Sequence, residues 1–441
     1  MTKNLDTRGA PISLDDKPTL DLFEQALRQF QSYVGDPVAT LDRALEAQPD
    51  FAMGHALRAA ALISFAEARF FEMARVNVGA LEALVERNVA NDREAALGIA
   101  LRKLVDGDWH GANVALDRAL VANPRDVVAI QIAHLFDFAR GDAINLRNRI
   151  SRVLPSWSPR IPGYSYVLGF HAFGLEECNQ YDEALETASR ALEIEPTDAW
   201  AIHAGLHCFE MQGKIAEGMT WLESRMPQWT GNGFAFHNHW HRALLYLDHG
   251  DDAKVLEIYD RDIFPEDIDI AFVLVDASAL LWRMHLLGID VRSRAERVAK
   301  AWESKLDGER GFYAFNDVHA MLAFAMTDRE ELTSRVVHDL ESAAVGATTN
   351  AGMAREVGLP LARGFAAFAR GDDRRALVQL EAVRDIAHRF GGSHAQRDLI
   401  TLTIAESARR SGRRDLARHY LNERFVHRPG SNLGHRLLAR A

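Results

Sequence analysis

The chain has 441 residues, 48% of them hydrophobic and 26% charged, with a formal net charge of −11. This composition excludes wholesale disorder, and the acidic balance argues against nucleic acid and anionic membranes as partners. The two cysteines, Cys178 and Cys208, form no CxxC pair. We therefore expect no disulfide framework and a soluble protein in a reducing cytoplasm.

The first 18 residues are polar and contain no apolar core of a secretory signal. We predict that residues 1–18 form a flexible N-terminal segment. Residues 19–441 are predicted to form a single domain, because the same kind of helical pattern continues through them. No apolar run in this part is long enough to span a bilayer.

A repeated spacing of glycine, alanine and proline organises this domain. Ala112, Ala119 and Pro124 follow Gly107 by 5, 12 and 17 residues. Glycine permits the turn between two antiparallel helices, alanine allows close helix packing, and proline ends the second helix. Two further copies of the spacing are Asn179, Ala184, Ala191 and Pro196, and then Gly412, Ala417 and Pro429, with Arg424 in the second alanine position.

This spacing is typical of tetratricopeptide repeats, in which each unit of about 34 residues is a helical hairpin. The sequence therefore predicts an all-α fold, a right-handed superhelix of stacked tetratricopeptide-like hairpins. A loop near residues 155–163 is rich in proline and is predicted to separate an N-terminal from a C-terminal group of hairpins.

The helix predicted between Asp198 and Gly213 carries the most distinctive polar face. Trp200, His203, His207 and Glu210 are spaced by 3, 4 and 3 residues, so they line one side of the helix. Apolar residues form a second face that would pack on neighbouring helices. In a tetratricopeptide hairpin the first face would line the concave groove, so we predict a ligand-binding face there.

Further polar residues could join this face if the superhelix brings later helices around the groove. His237 and His241 begin the next predicted inner helix, with His239 between them directed elsewhere. Arginines and helix N-termini suit an anionic group on a ligand. The additional predicted ligand-binding residues are Asn316, His319, Arg355, Glu356, His394 and Arg397.

Each histidine also has a structural interpretation, because a histidine in a helix is often a buried residue with satisfied hydrogen bonds. A metal site is an alternative, since His203 and His207 have the i,i+4 spacing of many two-histidine sites. The residues between them do not form an HExxH motif, so the sequence assigns no metal ligands and identifies no cofactor. It assigns no catalytic residues either.

Several strings of the chain resemble the family of tetratricopeptide repeat protein 38. The resemblance covers residues 20–430 and implies a tetratricopeptide-like superhelix in one domain. It implies no established reaction. The strings are GFHAFGLEE (169–177), DAWAIHAGLHCFEMQG (198–213), HNHWHRALLYLDHG (237–250), LVDASALLWRM (274–284), YAFNDVHAMLAFA (313–325), AREVGLP (354–360) and GGSHAQRD (391–398).

Three functional hypotheses remain open. In the first, a concave pocket rich in histidine, tryptophan and glutamate binds, and in one version transforms, a small polar ligand. In the second, the groove binds a peptide or protein segment without catalysis, as helical repeats often do. In the third, the chain has an oligomeric or structural role. The histidine-rich face favours the first hypothesis, because peptide clamps on inner helices rely on lysine, arginine and asparagine.

Overall fold

The computed structural model describes residues 4–266 and 268–440. Almost all regular structure in these residues is helical, and consecutive helices pack as antiparallel hairpins. The predicted all-α class of stacked tetratricopeptide-like hairpins is confirmed. Two compact units divide the chain: the first extends to Gly205 and includes Pro227–Phe234, and the second comprises Leu206–Met226 and the residues from Ala235 onward.

The first unit contains a short β-hairpin and ten complete helices among its described residues. Its strands are β1 (Asn4–Leu5) and β2 (Pro11–Ile12), which pair antiparallel. A 3-10 helix spans Leu154–Ser156. The helices are α1 (Lys17–Ser32), α2 (Pro37–Ala47), α3 (Ala52–Ile63), α4 (Ala68–Glu86), α5 (Asp92–Val105), α6 (Trp109–Ala122), α7 (Val127–Ala139), α8 (Ala143–Val153), α9 (Tyr164–Glu177) and α10 (Tyr181–Ile194).

Helix α11 (Ala199–Met211) begins in the first unit and ends in the second, and the short α13 (Met226–Trp229) also crosses the boundary. The second unit includes π-helical turns at Tyr259–Ile263 and Ala354–Gly358 and a 3-10 helix at Arg384–Phe390. Its helices are α12 (Ile215–Glu223), α14 (Ala235–His249), α15 (Asp252–Ile258), α16 (Ala271–Leu286), α17 (Arg292–Glu309), α18 (Ala314–Met326), α19 (Glu330–Ala343), α20 (Thr349–Met353), α21 (Leu359–Ala369), α22 (Asp373–Glu381), α23 (His394–Arg410), α24 (Arg414–His427) and α25 (Asn432–Arg440).

The predicted turn positions have the left-handed backbone conformation that a tight turn between two helices requires. Gly107 and Gly412 have φ values of 84° and 80°, and Asn179 has a φ of 61°. Pro124 and Pro196 each lie two residues beyond the end of a helix. These observations place the glycine and proline of the repeat at the turn and at the end of its second helix.

An aspartate after the turn glycine caps the second helix of several hairpins. The side chain of Asp108 accepts a hydrogen bond of 2.8 Å from the backbone N–H of Gly111. An N-cap carboxylate satisfies a donor that the first helical turn would otherwise leave exposed. The Gly-Asp pair is therefore a turn followed by a cap, and Asp142, Asp251 and Asp372 occupy the same position.

Part of the N-terminal segment over residues 1–18, for which the sequence predicts flexibility, has regular structure in the described residues. Residues 4–12 form the β-hairpin, and Asp6 at its turn is buried. Asp6 accepts backbone hydrogen bonds from Arg8 and Ala10, both 2.9 Å, and pairs with Arg93 at 3.1 Å. Polar composition suggested flexibility, but here the charged side chains hold the segment against the first unit.

The loop near residues 155–163, predicted to separate two groups of hairpins, packs against the preceding helices through a tryptophan. Trp157 is buried, and its indole N–H donates to the backbone carbonyl of Pro124 at 2.9 Å. Gly163 ends the loop with a φ of 87°. The division between the two units lies further along, within α11.

The last helices of the second unit pack against its early helices. Helix α25 contacts α14, and α23 contacts α16. Arg436 on α25 forms a bidentate ion pair with Asp252 at the start of α15, with distances of 2.7 and 2.8 Å. Consequently, side chains of α11, α14, α16, α23 and α24 meet in the interior of this unit.

No helix in the described residues is both long enough and apolar enough to cross a membrane.

Candidate functional site

The first half of the predicted polar face lies in an aromatic core of the first unit. Trp200 is 5% exposed, and its ring centre lies 5.3 Å from Phe173 and 5.2 Å from Phe234. The ring of His203 lies 5.3 Å from Phe173 and 5.4 Å from Trp200. Both side chains therefore contribute to aromatic packing in this unit.

The second half of the face, His207 and Glu210, contacts a histidine of the next inner helix from both sides. His207 and Glu210 of α11 and His241 of α14 are at most 1% exposed. The Nε2 atoms of His207 and His241 are 3.0 Å apart, and Nδ1 of His241 lies 2.6 Å from Oε2 of Glu210. Because His207 and Glu210 are three residues apart on one face, they contact opposite ends of the same imidazole ring.

A second histidine on α14 has its own carboxylate partner. Nδ1 of His237 lies 2.7 Å from Oδ2 of Asp276 on α16, and Asp276 is fully buried. The His237 ring stacks on Trp240 at 5.4 Å and contacts Phe272 at 4.8 Å. Ring nitrogens of His237 and His241 lie within 4.8 Å of each other. We refer to His207, His237, His241, Glu210 and Asp276 together as the histidine centre.

The two carboxylates determine which ring nitrogen carries the proton. An ionised carboxylate only accepts hydrogen bonds, so Nδ1–H of His237 and of His241 must donate to it. The Nε2 atom of each ring then carries the lone pair. His207 donates its Nε2–H to Nε2 of His241, which completes a buried chain from His207 through His241 to Glu210.

Burial raises the pKa of both carboxyl groups, and nearby cations oppose this effect. For Glu210, burial is the main influence, and Arg428 and His207 lower its pKa in opposition. For Asp276, burial again raises the pKa, and His237 opposes it. The pKa of each carboxyl group stays above its ordinary value, because burial outweighs the neighbouring cations.

An arginine–aspartate cluster adjoins Glu210. Arg424 of α24 bonds Asp398 of α23 at 3.0 Å, and Arg428 lies 3.4 Å from the same carboxylate. Arg428 also lies 3.8 Å from Oε1 of Glu210. Burial alone would raise the pKa of Asp398, but the two arginines outweigh it and hold that pKa well below its usual range. The cluster thus joins the last hairpin of the unit to the histidine centre.

Arg283 of α16 is a fully buried cation whose hydrogen bonds, within the described part of the chain, go to backbone carbonyls. Its guanidinium donates to Ala279 at 2.9 Å and to Ala395 at 2.6 Å, and it lies 5.6 Å from the Trp240 ring centre. Burial lowers its pKa to about 10. Asp398 and Glu210 are the carboxylates that favour its charged form.

The remaining predicted residues fall into two groups. Asn316 and His319 are buried on α18; Nδ1 of His319 donates to the Phe315 carbonyl at 2.7 Å, and burial lowers the pKa of His319 to about 4. Arg355 and Glu356 are exposed and bond Ala344 and Arg389 instead of the histidines. His394 and Arg397 are half-buried and lie 3.3 Å apart. The predicted convergence of Arg355 and Glu356 on the histidines is not observed.

Sequence reasoning missed the partners that orient the histidines. Asp276 lies within an apolar run, LVDASALLW, where a buried carboxylate needs a partner on another helix. Arg424 occupies the second alanine position of the repeat, which is otherwise small and buried. In both cases, a charged residue at a position expected to be buried indicated a partner of opposite charge on another helix. Arg428, which directly follows the last residue of α24, gave no such signal.

No known family model matches the chain. Among solved structures, it is similar to yeast Tom70, with 14% identity, coverage of 91% of this chain and 90% of that one, and a TM-score of 0.43. It is also similar to a human IFIT1 dimer with PPP-AAAA, with 13% identity, coverage of 97% and 95%, and a TM-score of 0.42. For a chain of the APC/C hetero-tetramer Cut9-Hcn1, the identity is 11%, the coverage 96% and 76%, and the TM-score 0.40. At these values the similarities assign no ligand and no partner.

Proposed function

We propose that this helical-repeat protein binds a small polar ligand at the histidine centre of its second unit. The observation that carries the proposal is the clamped ring of His241, which contacts His207 through Nε2 and Glu210 through Nδ1. Burying imidazoles and carboxylates costs desolvation free energy, whereas apolar side chains could fill the same volume without that cost. A ligand that uses these polar groups would explain why they are there.

The proposed site keeps four of the predicted residues, His207, Glu210, His237 and His241, and adds Asp276. Carboxylates that fix the Nδ1–H tautomer leave Nε2 able to accept a hydrogen bond or a proton. General acid–base chemistry uses the same arrangement of base and orienting carboxylate. A reaction on the bound ligand is therefore part of the proposal, with Nε2 of His237 as the base.

Membership in the tetratricopeptide repeat protein 38 family and a cytoplasmic location are also proposals. The first is supported by the seven strings between residues 169 and 398, two of which contain the residues of α11 and α14 that build the histidine centre. The second is supported by the absence of any CxxC pair.

Ligand-induced thermal stabilisation tests the proposal. Purified protein is melted with a panel of small carboxylic acids, phosphate esters and amines, each at millimolar concentration. A ligand at about 100 times its Kd stabilises the folded state by about 2.7 kcal/mol, so at least one compound should raise the Tm by several degrees. His207→Ala should lose this response, and His249→Ala, which changes an exposed histidine at the end of α14, should keep it.

A response that His207→Ala retains in full would contradict the proposed site. An absence of any response across the panel would contradict binding of a small organic ligand, and it would favour the alternative in which the repeats serve only as a protein-binding scaffold. Circular dichroism of each variant at low temperature provides the check on folding.

A further inference from the structure

We infer that the histidine centre is a transition-metal site in which ring nitrogens of His207, His237 and His241 bind one ion of the zinc class. The inference rests on the proposed function and names the chemistry of the site. It departs from the sequence analysis, which assigned no metal ligands.

The spacing of two nitrogens fits a shared ion. Zinc binds imidazole nitrogen at about 2.0–2.1 Å with tetrahedral geometry, which separates two such ligands by about 3.3 Å. The Nε2 atoms of His207 and His241 are 3.0 Å apart. An ion would take the place of the proton between them, and His207 would then carry its ring proton on Nδ1. A ring nitrogen of His237 lies within 4.8 Å of one of His241, so it is the nearest candidate in this unit for a third ligand to an ion bound at His241.

The orientation of the rings is that of carboxylate-supported metal ligands. A metal-bound histidine usually donates its other N–H to a carboxylate or carbonyl, which fixes the tautomer and makes the binding nitrogen more basic. Glu210 does this for His241, at 2.6 Å, and Asp276 does it for His237, at 2.7 Å. Two independent carboxylates on different helices thus prepare Nε2 of both rings for binding.

The ligand atoms select the class of metal. Calcium and magnesium bind through carboxylate and carbonyl oxygens, whereas imidazole suits zinc, copper, iron and nickel. Here the two carboxylates are engaged with imidazole N–H groups, and three imidazoles remain to bind the ion. Three protein ligands leave the fourth tetrahedral position for water or for a polar ligand, as in catalytic rather than structural zinc sites.

Cobalt binding provides the first test. The full chain is freed of metal with a chelator and titrated with Co²⁺, whose visible absorption reports coordination by protein nitrogens. We expect one equivalent per chain, and Zn²⁺ should displace the cobalt and abolish the absorption. This measurement uses the unaltered protein, so it does not depend on whether any variant folds. Failure to develop the absorption, together with no heat of Zn²⁺ binding by calorimetry, would overturn the inference.

Variants locate the ion. His241→Ala should abolish Co²⁺ binding, whereas His249→Ala should leave the stoichiometry and affinity unchanged. Glu210→Gln keeps the size of the side chain but weakens its support of His241, and it should lower the Zn²⁺ affinity by about 10-fold to 100-fold. Cobalt binding that survives His241→Ala at full affinity would place the metal elsewhere and contradict the assignment.

Repeating the compound panel on metal-free protein separates this inference from the proposed function. A compound that stabilises the metal-free chain, combined with no Co²⁺ binding, would refute the metal site and leave the ligand proposal standing. Metal binding without any response to the panel would support the metal site and contradict the small organic ligand.

Discussion

Buried histidines in the two units have different surroundings, and the difference determines what they can do. In the first unit, the ring of His134 lies 4.7 Å from Phe170 and 5.7 Å from Trp200, and burial lowers its pKa to about 3. In the second unit, His241 is equally buried but is bonded to Glu210. Burial among aromatic rings gives a neutral packing residue, whereas a buried carboxylate gives an imidazole with a fixed orientation.

Ion pairs in the two units show a related contrast. In the first unit, Arg149 of α8 bonds Asp137 of α7 at 2.7 Å, and the pair joins the two helices of one hairpin. In the second unit, Arg424 and Arg428 share Asp398, and Arg428 also approaches Glu210 of the histidine centre. The first pair supports only packing, while the second cluster also links stability to the proposed site.

The largest expected effect comes from removing Arg424. Arg424→Met leaves Asp398 and Asp248 buried with less compensation, so the free energy of unfolding should fall by about 3–5 kcal/mol in urea titrations. The control is Arg418→Met on the same helix, where the side chain is 53% exposed and the change should be within about 0.5 kcal/mol. Equal effects of the two substitutions would contradict the role given to the cluster.

Acid pH should weaken this cluster in the wild-type protein. The pKa of Asp398 is lower in the folded than in the unfolded state, so its contribution is complete above its unfolded pKa of about 4 and is lost as the pH falls below that value. Arg424→Met should therefore show a smaller loss of stability than wild type below pH 4. A steeper loss in the variant would reverse the sign and contradict the account.

His134 should give the first unit a different pH dependence. Its folded pKa of about 3 lies below its unfolded value of about 6.5, so its contribution is complete above pH 6.5 and declines as the pH falls toward 3. His134→Leu should remove this decline, a difference of up to about 3 kcal/mol at pH 4. The exposed His110 provides the control substitution, which should leave the wild-type profile unchanged. Parallel profiles for wild type and His134→Leu would show that His134 is not held neutral.

The repeat positions should behave alike in both units, with a smaller effect. Ala184 on α10 and Ala417 on α24 are fully buried, so a leucine at either position should overpack the hairpin and cost about 1–3 kcal/mol. Glu186→Leu, at an exposed position of α10, should cost much less. Thermal melts that are unchanged for both alanine variants would contradict the repeat register.

The fold was predictable because its signals are local. Turn glycines, buried alanines and terminating prolines act within one hairpin, so their spacing alone reveals it. The hairpin at residues 4–12 was missed because its order depends on Arg93, 87 residues from Asp6. The aspartate caps were overlooked although their Gly-Asp signal is local.

For the candidate site, the sequence predicted only which polar residues share one face of a helix. Helical spacing grouped His207 with Glu210, and His237 with His241, because side chains three or four residues apart share a face. It did not reveal Asp276, Arg424 or Arg428, since their contacts depend on how distant helices pack. Arg428 lies 217 residues from its contact Met211. The same helical spacing grouped Trp200 and His203 with the site, and in the structure both rings pack among aromatic side chains of the first unit.

The tautomers of His237 and His241 show whether Glu210 and Asp276 orient these two rings. Nuclear magnetic resonance of protein labelled with ¹⁵N in its histidine rings, freed of metal at neutral pH, distinguishes the two neutral tautomers. Signals are assigned with His237→Gln and His241→Gln. The account predicts that both rings carry the proton on Nδ1 and that Glu210→Gln perturbs the His241 signals. Nε2–H tautomers for both rings, or His241 signals unaffected by Glu210→Gln, would contradict it.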